Sequence, residues 1–570
     1  MSVNIKINYN EAKDRFELDV PYVLAGIAKR IPSRRWNKAS RLWFVPAVRA
    51  NVEHMTKSIF PLVSCDVSEA AQKAAASILN KAQRLVTRAL PDWYEPLMPM
   101  RSYQRACCDM FYGRNVGGIF ACMGSGKTKM VIDILCAKSL TPDEGLDKID
   151  TVLVACPFSI RNNWLKELGK HCSVPYVAQV LDTKTRSGSA QMMSMMRNHD
   201  TTLRFLIVGI ESLSVGSALS ASDAFVQSGV AAVVVDELSK IKTPGAKRTK
   251  NIINIGRKAK VRFGLTGTPV TQGLQDLYSQ MEFLSNDIIG YADFYSFRNR
   301  YMVMGGYDNR QIIGYDNAEE LMSSINPHVF QITQAEALPE LPERTYVTRE
   351  VDLTDEQKRL YNDISKNKLI TTSDTPVSVK NALEQLMRLQ QVTGGFSVTA
   401  DSDALTGKID QTPVVLGSNK LTEVLAIADE SAASIIIWAR FKPELSSIAA
   451  ALRGRYGDDA VVEFHGGISA EDRWLNVQKF ESKKARFFVG NQATGGMGID
   501  LLAATVVIYY SNTFSLEDRE QTEARNFRMG QKNSVLYIDL LCAGTVDNDI
   551  VETLRDKKNV ADWVRESLGS

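Results

Sequence analysis

The chain has 570 residues, 44% hydrophobic and 23% charged, which excludes a disulfide miniprotein, a collagen-like chain and a wholly disordered one. With 68 Lys and Arg against 65 Asp and Glu the formal net charge is +3, too near neutral to announce a nucleic-acid partner, so any basic binding surface must be local. The eight cysteines form no C-x-x-C pair, and Cys107, Cys108, Cys122 and Cys156 are among them, several in apolar runs. That argues against zinc and against a disulfide framework. No apolar stretch reaches the roughly 18 to 20 residues of a membrane span, and Met1 to Asn10 lack a signal peptide's pattern, so a reducing cytoplasmic compartment without membrane contact is expected.

In chain order, residues 1–60 read as a small α+β domain, with strands at Phe16–Val20 and Leu42–Val45. An Ala-rich stretch, Ala70 to Ala89, marks a helical linker over 61–95. Short apolar runs then recur between helical patterns at Gly118–Phe120, Val152–Ala155, Phe205–Val208, Ala232–Val235 and Phe263–Leu265. Buried strands alternating with helices predict a doubly wound parallel sheet over 96–285. A mostly helical connector is expected over 286–414, interrupted at Met304–Gly306 and Leu338–Pro342. The strand pattern returns over 415–570, with Ile435–Trp438, Val461–Phe464, Phe487–Val489, Val506–Ile508 and Val535–Ile538, predicting a second α/β lobe.

Ala121 to Thr128 follows the first of these strands and opens a helical pattern, as a phosphate loop requires. Met123, Gly124, Ser125 and Gly126 would wrap phosphates with backbone N–H groups. Lys127 would reach the outer phosphates, and the Thr128 hydroxyl would ligate magnesium. Asp236 and Glu237 end another apolar run, where Asp236 would hold the magnesium shell and Glu237 would orient the attacking water. In the second lobe Arg525 and Arg528 sit three apart on one helix face, suited to the charge of a transferring phosphate. The Gly-rich turn from Thr494 through Gly498 to Asp500 precedes them.

From about 96 to 550 these residues resemble the Swi/Snf-type DNA-dependent ATPases of helicase superfamily two. Met100–Gln104 is similar to the adenine-reading Q motif, Ala121–Thr128 to motif I, Pro157–Glu167 to the P-x-S-x-x-x-N-W-x-x-E segment, and Asp236–Lys242 to motif II. Leu265–Pro269 matches motif III and Gln521–Gln531 resembles motif VI. The resemblance implies two RecA-like lobes, ATP and Mg2+ as cofactors, and movement along duplex or forked DNA. It assigns Gln104, Gly498 and Asp500 to the nucleotide, and Thr266, Gly267, Thr268 and Gln531 to coupling. The sequence departs from the family at Ala121–Cys122, where Asp-Glu is usual, at Ser239, where His or Gln is usual, and at Phe527, where His is usual. Hydrolysis is expected to survive these changes.

Lys29, Arg30, Arg34, Arg35, Lys38 and Arg41 interleave with Trp36 and Trp43 and no acidic residue, a combination that points to nucleic acid. The segment also resembles the HepA-related (HARP) domain of annealing helicases. Lys240 and Lys242 after motif II are further backbone-contact candidates, and the resemblance adds Arg473 and Thr494. The lone His465 and the methionines at 192, 193, 195 and 196 read as structural. The expectation is a monomeric ATP-dependent duplex-DNA translocase acting on forks or branched DNA alongside replication or recombination proteins, in a bacterial or phage-infected cytoplasm. Its competitors are a strand-separating DNA or RNA helicase and an ATP-gated DNA clamp without turnover.

Overall fold

The computed structural model describes residues 4–81, 87–182, 192–194, 202–370, 379–402, 409–495 and 499–569. Met195, Met196 and the glycine turn's Gly498 lie outside the described residues. The chain divides into two compact units, 1–337 with 560–570, and 338–559. The last turns of the C-terminal helix Val546–Gly569 therefore return to the first unit. Val564 and Leu568 are buried in one of that unit's apolar clusters.

The N-terminal part of the first unit is a five-stranded sheet in the order Arg35–Asn37, Leu42–Pro46, Arg15–Asp19, Ile5–Asn10, Cys65–Val67. Alternation does the sorting: Ile5, Ile7, Phe16, Leu18 and Val45 are buried while their strand neighbours face outward. The Ala-rich helix Glu69–Lys81 packs on this sheet through Ala71, Ala74, Ala75 and Ile78.

The rest of the first unit is built on a seven-stranded sheet, every pairing parallel, in the order Val329–Ile332, Val116–Ala121, Val261–Thr266, Ala231–Asp236, Thr151–Cys156, Leu203–Gly209, Tyr176–Val180. Strands covered on both faces need no polar alternation, and Thr151–Cys156, Leu203–Gly209 and Ala231–Asp236 are buried at every position. The order of the four central strands places the chain exits after Ala121, Thr266, Asp236 and Cys156 side by side at one carboxyl edge.

The second unit carries a six-stranded sheet, also parallel throughout: Arg344–Val351, Val535–Cys542, Ala504–Tyr509, Ser434–Ala439, Phe487–Asn491, Val461–Phe464. Along its strand Ser434–Ala439, Ile435 and Ile437 enter one apolar cluster and Ile436 and Trp438 the opposite one. All ten apolar runs read as strands lie in these two sheets. The stretch 286–414, expected to be mostly helical, contributes strands as well: Val329–Ile332 edges the first sheet and Arg344–Val351 edges the second. Val329–Ile332 is only four residues long and half-buried in its middle, and Arg344–Val351 is exposed or half-buried along its whole length, so neither leaves an unbroken apolar run.

Candidate active site

The phosphate loop spans the end of strand Val116–Ala121 and the start of helix Lys127–Leu140. Gly124 and Gly126 both have φ of +83°, the left-handed region that lets successive amides turn toward one point. A Cβ on Gly126 would stand 2.6 Å from the Gln104 side-chain nitrogen, so the loop leaves no room for a larger residue there. Ser125 closes the turn, its Oγ donating to the Cys122 carbonyl at 2.8 Å. The loop's base is pinned where the Cys122 amide donates to the Ile332 carbonyl at 3.2 Å. Lys127 Nζ donates to the carbonyls of Ala121 at 2.8 Å and Cys122 at 3.2 Å, holding its ammonium over the loop. Burial pushes the Cys122 thiol up, and the charges of Lys127 and Arg565 oppose that shift.

Gln104 sits behind this loop. It is buried, its Nε2 donates to the Ser125 carbonyl at 2.9 Å, and its Oε1 accepts from the Arg101 amide at 3.0 Å. Both ends of the amide expected to read adenine are thus engaged in holding the loop, with the Tyr103 hydroxyl donating to the same carbonyl at 2.9 Å.

Asp236 closes its strand with its carboxylate buried. Burial raises its pKa, opposed by the Trp164 indole, the Lys127 charge and the Glu237 amide, so the Asp236 carboxylate and the Lys127 ammonium act on one another. Glu237 follows with φ +55°, a conformation a bulky residue adopts only where the surroundings impose it. Between these strands, Val261–Thr266 delivers Thr266, Gly267 and Thr268. Both threonines are buried, and the Thr268 amide donates to Thr266 Oγ1 at 3.1 Å. A Cβ on Gly267 would lie 3.5 Å from Lys127 Nζ, so motif III covers the lysine directly.

Magnesium fits this donor set. Thr128 and Asp236 would supply hard oxygens, the ligand type this ion favours, with phosphate oxygens and water for the rest. Among the described residues no group of three or more His, Cys, Asp or Glu could hold a metal without such help.

In the second unit, helix Leu516–Asn526 carries Arg525, and Arg528 follows it with its guanidinium ion-paired to Asp500. Gln531 ties this segment to the sheet: Nε2 donates to the carbonyls of Leu502, Ala504 and Asn526 at 3.1, 3.3 and 3.1 Å. Phe527 is buried in an apolar cluster, 5.0 Å from the Arg344 guanidinium, which explains why an aromatic hydrocarbon serves at this position. Ser239 is wholly buried, so its hydroxyl is not presented to solvent. Thr494 is buried and Arg473 lies 5.6 Å over the Phe464 ring. His465 accepts the Gly467 amide at 3.1 Å and lies 3.4 Å from Glu463, a structural histidine.

The basic N-terminal candidates Arg34, Arg35, Lys38 and Arg41 are all exposed, and Trp36 packs against Trp43 across paired strands, the ring centroids 5.2 Å apart and the rings tilted at 53°. Lys242 donates to Thr271 Oγ1, and the Lys240 amide donates to the Glu237 carbonyl at 2.9 Å.

Two contributors went unread in the sequence. Trp164 stands inside a motif yet carried no role. Arg565 comes from the far end of the chain to lie 3.5 Å from the Gly267 carbonyl, and no motif marks it.

A family model for the SNF2-related domain matches residues 50–394, and one for the helicase conserved C-terminal domain matches residues 418–530. The chain belongs to the SNF2-related domain family. Among curated relatives, an uncharacterized ATP-dependent helicase, MG018 of Mycoplasma genitalium, is 24% identical over 451 residues, covering 78% of this chain and 40% of the relative. The chromodomain-helicase-DNA-binding protein 1-like of Danio rerio is 25% identical, covering 78% of this chain and 41% of that protein. The DNA repair and recombination protein RDH54 of Saccharomyces cerevisiae is 22% identical, with 75% and 49% covered. The chain thus spans two fifths to half the length of these relatives. A solved Sulfolobus solfataricus SWI2/SNF2 ATPase core in complex with dsDNA is 22% identical, with 84% of this chain and 96% of that one covered at a TM-score of 0.37. Among the described residues no helix is long and apolar enough to cross a membrane.

Proposed function

We propose that the protein is a DNA-dependent ATPase that translocates on double-stranded DNA and remodels forked or branched DNA. The observation that carries this reading is the meeting, on adjacent strand ends of one parallel sheet, of a left-handed glycine loop, Lys127, the buried Asp236 and the motif III threonines. Family membership and the names of the relatives support DNA as the partner.

In this reading the loop amides and Lys127 bind the phosphates, with the ammonium exchanging its two backbone carbonyls for phosphate oxygens. Thr128 and Asp236 hold magnesium, which when bound offsets the phosphates' charge. Glu237 orients the attacking water, and the left-handed backbone that aims it is the strain the site retains for that purpose. Arg525 and Arg528 stabilise charge that develops on the transferring phosphate. Gly267 carries the change at Lys127 into the motif III strand. Gln104 acts on the nucleotide by holding the loop. The exposed basic residues of 1–60, a HARP-like accessory domain, contact the DNA backbone, joined by Lys240, Lys242 and Arg473. The free cysteines suit a reducing cytoplasm.

Displacement of a labelled third strand from a DNA triplex by the full chain with ATP tests translocation. ATP-dependent release that Glu237→Gln abolishes is expected. Separation of a plain duplex on single-strand loading, with the triplex left intact, would replace this reading with a helicase.

A further inference from the structure

Trp164 reaches the sheet edge from a neighbouring helix. Helix Arg161–His171 leaves the strand Thr151–Cys156, which pairs with Ala231–Asp236 through Ala155 opposite Val235. Trp164 and Leu168, four apart, are that helix's buried residues, and Trp164 is only 1% exposed. From there the indole crosses to the neighbouring strand's end, where Nε1–H donates to Asp236 Oδ2 at 2.9 Å. The other oxygen, Oδ1, accepts the Glu237 amide at 3.0 Å.

We propose that Trp164 is a positioning residue for the metal-side carboxylate: its indole N–H fixes the rotation of Asp236 so that both oxygens present a free lone pair toward the magnesium shell. The proposal rests on the ATP-hydrolase reading. The Glu237 amide alone leaves the carboxylate free to pivot about its Cβ–Cγ bond, because it holds only one oxygen and belongs to the adjoining residue. A second donor on the other oxygen, from a different element, removes that freedom.

Tryptophan suits the task for three reasons. An indole N–H can only donate, so it never competes with the carboxylate for a proton. The ring spans the gap between a helix and a strand end while keeping water from the buried carboxylate. Its own rotation is locked by burial, so the hydrogen bond is in place before metal arrives. Asp236 is thereby oriented from the helix after the neighbouring strand.

The test uses the full chain and Mn2+ as the metal probe, with free Mn2+ read by its electron paramagnetic resonance signal in the presence of saturating ADP. Trp164→Phe removes the donor. Site-specific replacement of Trp164 by 3-benzothienylalanine removes it while keeping the bicyclic ring, which guards against a packing defect. Both variants are expected to bind Mn2+ about tenfold more weakly with ADP present, the usual effect of losing a metal ligand's outer partner. ADP affinity in EDTA is expected to stay within about twofold, and excess Mg2+ to recover ATPase rate. Wild-type Mn2+ affinity in the benzothienyl variant, or an equal loss of ADP affinity in EDTA, would overturn the positioning role. Wild-type protein that binds no Mn2+ with ADP would instead overturn the ATP reading beneath it.

Discussion

The two parallel sheets share one architecture but use their carboxyl edges in opposite ways. In the first unit the edge carries a glycine loop, a lysine lying over backbone carbonyls and a strained glutamate, side by side. In the second unit the corresponding strand ends are wired to each other. Lys420 is buried against Asp547 at 2.6 Å and donates to the Tyr510 carbonyl at 3.0 Å, while Thr393 Oγ1 donates to Asp547 at 2.9 Å. Glu444 Oε2 accepts from the Arg440 and Phe441 amides and from Ser511 Oγ at 3.1, 3.0 and 2.7 Å. Arg519 holds Asp539 and Glu523, and Asn512 donates to Asp539 at 2.8 Å. The difference teaches that a doubly wound sheet offers polar strand ends wherever it occurs. One copy keeps them for chemistry and the other closes them into a buried polar network in the unit that carries Arg525 and Arg528.

The contrast is broken most strongly at Lys127. Lys127→Ala is expected to lower DNA-stimulated phosphate release about a thousandfold, roughly 4 kcal/mol of transition-state stabilisation, with the unfolding midpoint unchanged. Steady-state kinetics with calorimetry on the same samples checks both halves. The reverse outcome is expected for Lys420→Met, which leaves Asp547 buried without its cation. It should cost about 3 kcal/mol of stability in denaturant unfolding, with kcat per folded molecule little changed.

Glu444 sharpens the comparison through pH. Burial raises its pKa to about 7, against the pull of the Phe441 amide, the Ser511 hydroxyl and the Lys420 charge. The folded protein therefore binds this proton more tightly than the unfolded chain, so the stabilisation is complete below the unfolded pKa and is lost as pH rises toward 7. Stability should fall by about 2 kcal/mol between pH 5 and 7.5, and Glu444→Gln should flatten that slope. An unaltered slope in the variant would place the titration elsewhere.

The smallest effect belongs to the exposed surface. Changing Arg34, Arg35, Lys38 and Arg41 together to Ala should weaken forked-DNA binding about tenfold and make it less salt-dependent, while basal ATPase stays the same. Fluorescence anisotropy across a salt series measures both.

What the sequence disclosed follows the same division. Buried parallel strands announce themselves as unbroken apolar runs, and a phosphate loop needs glycines at fixed spacing because only they tolerate φ near +83°. Lys127, Asp236 and Glu237 were legible for that reason. Val329–Ile332 and Arg344–Val351 were not, since the first is only four residues long and the second is exposed or half-buried throughout, whereas the edge strand Val461–Phe464 keeps three of its four residues buried. The Q motif marked Gln104, but a motif records which residue is present and not which backbone groups its amide also holds, here the Ser125 carbonyl and the Arg101 amide. Trp164 and Arg565 act through contacts across 72 and 298 positions of chain, a separation no local pattern encodes. The buried polar edge of the second unit was equally silent, because Lys420, Glu444 and Asp547 look in sequence like any solvated charges.

The central claim is that the first unit's sheet edge hydrolyses ATP in response to duplex DNA. Steady-state phosphate release by the full chain with magnesium, compared without nucleic acid and with single-stranded, linear duplex and forked DNA, tests it most directly, with Lys127→Ala and Glu237→Gln beside it. Stimulation by duplex or forked DNA that both substitutions abolish is the predicted result; release no greater than the Lys127→Ala background on every DNA would contradict it.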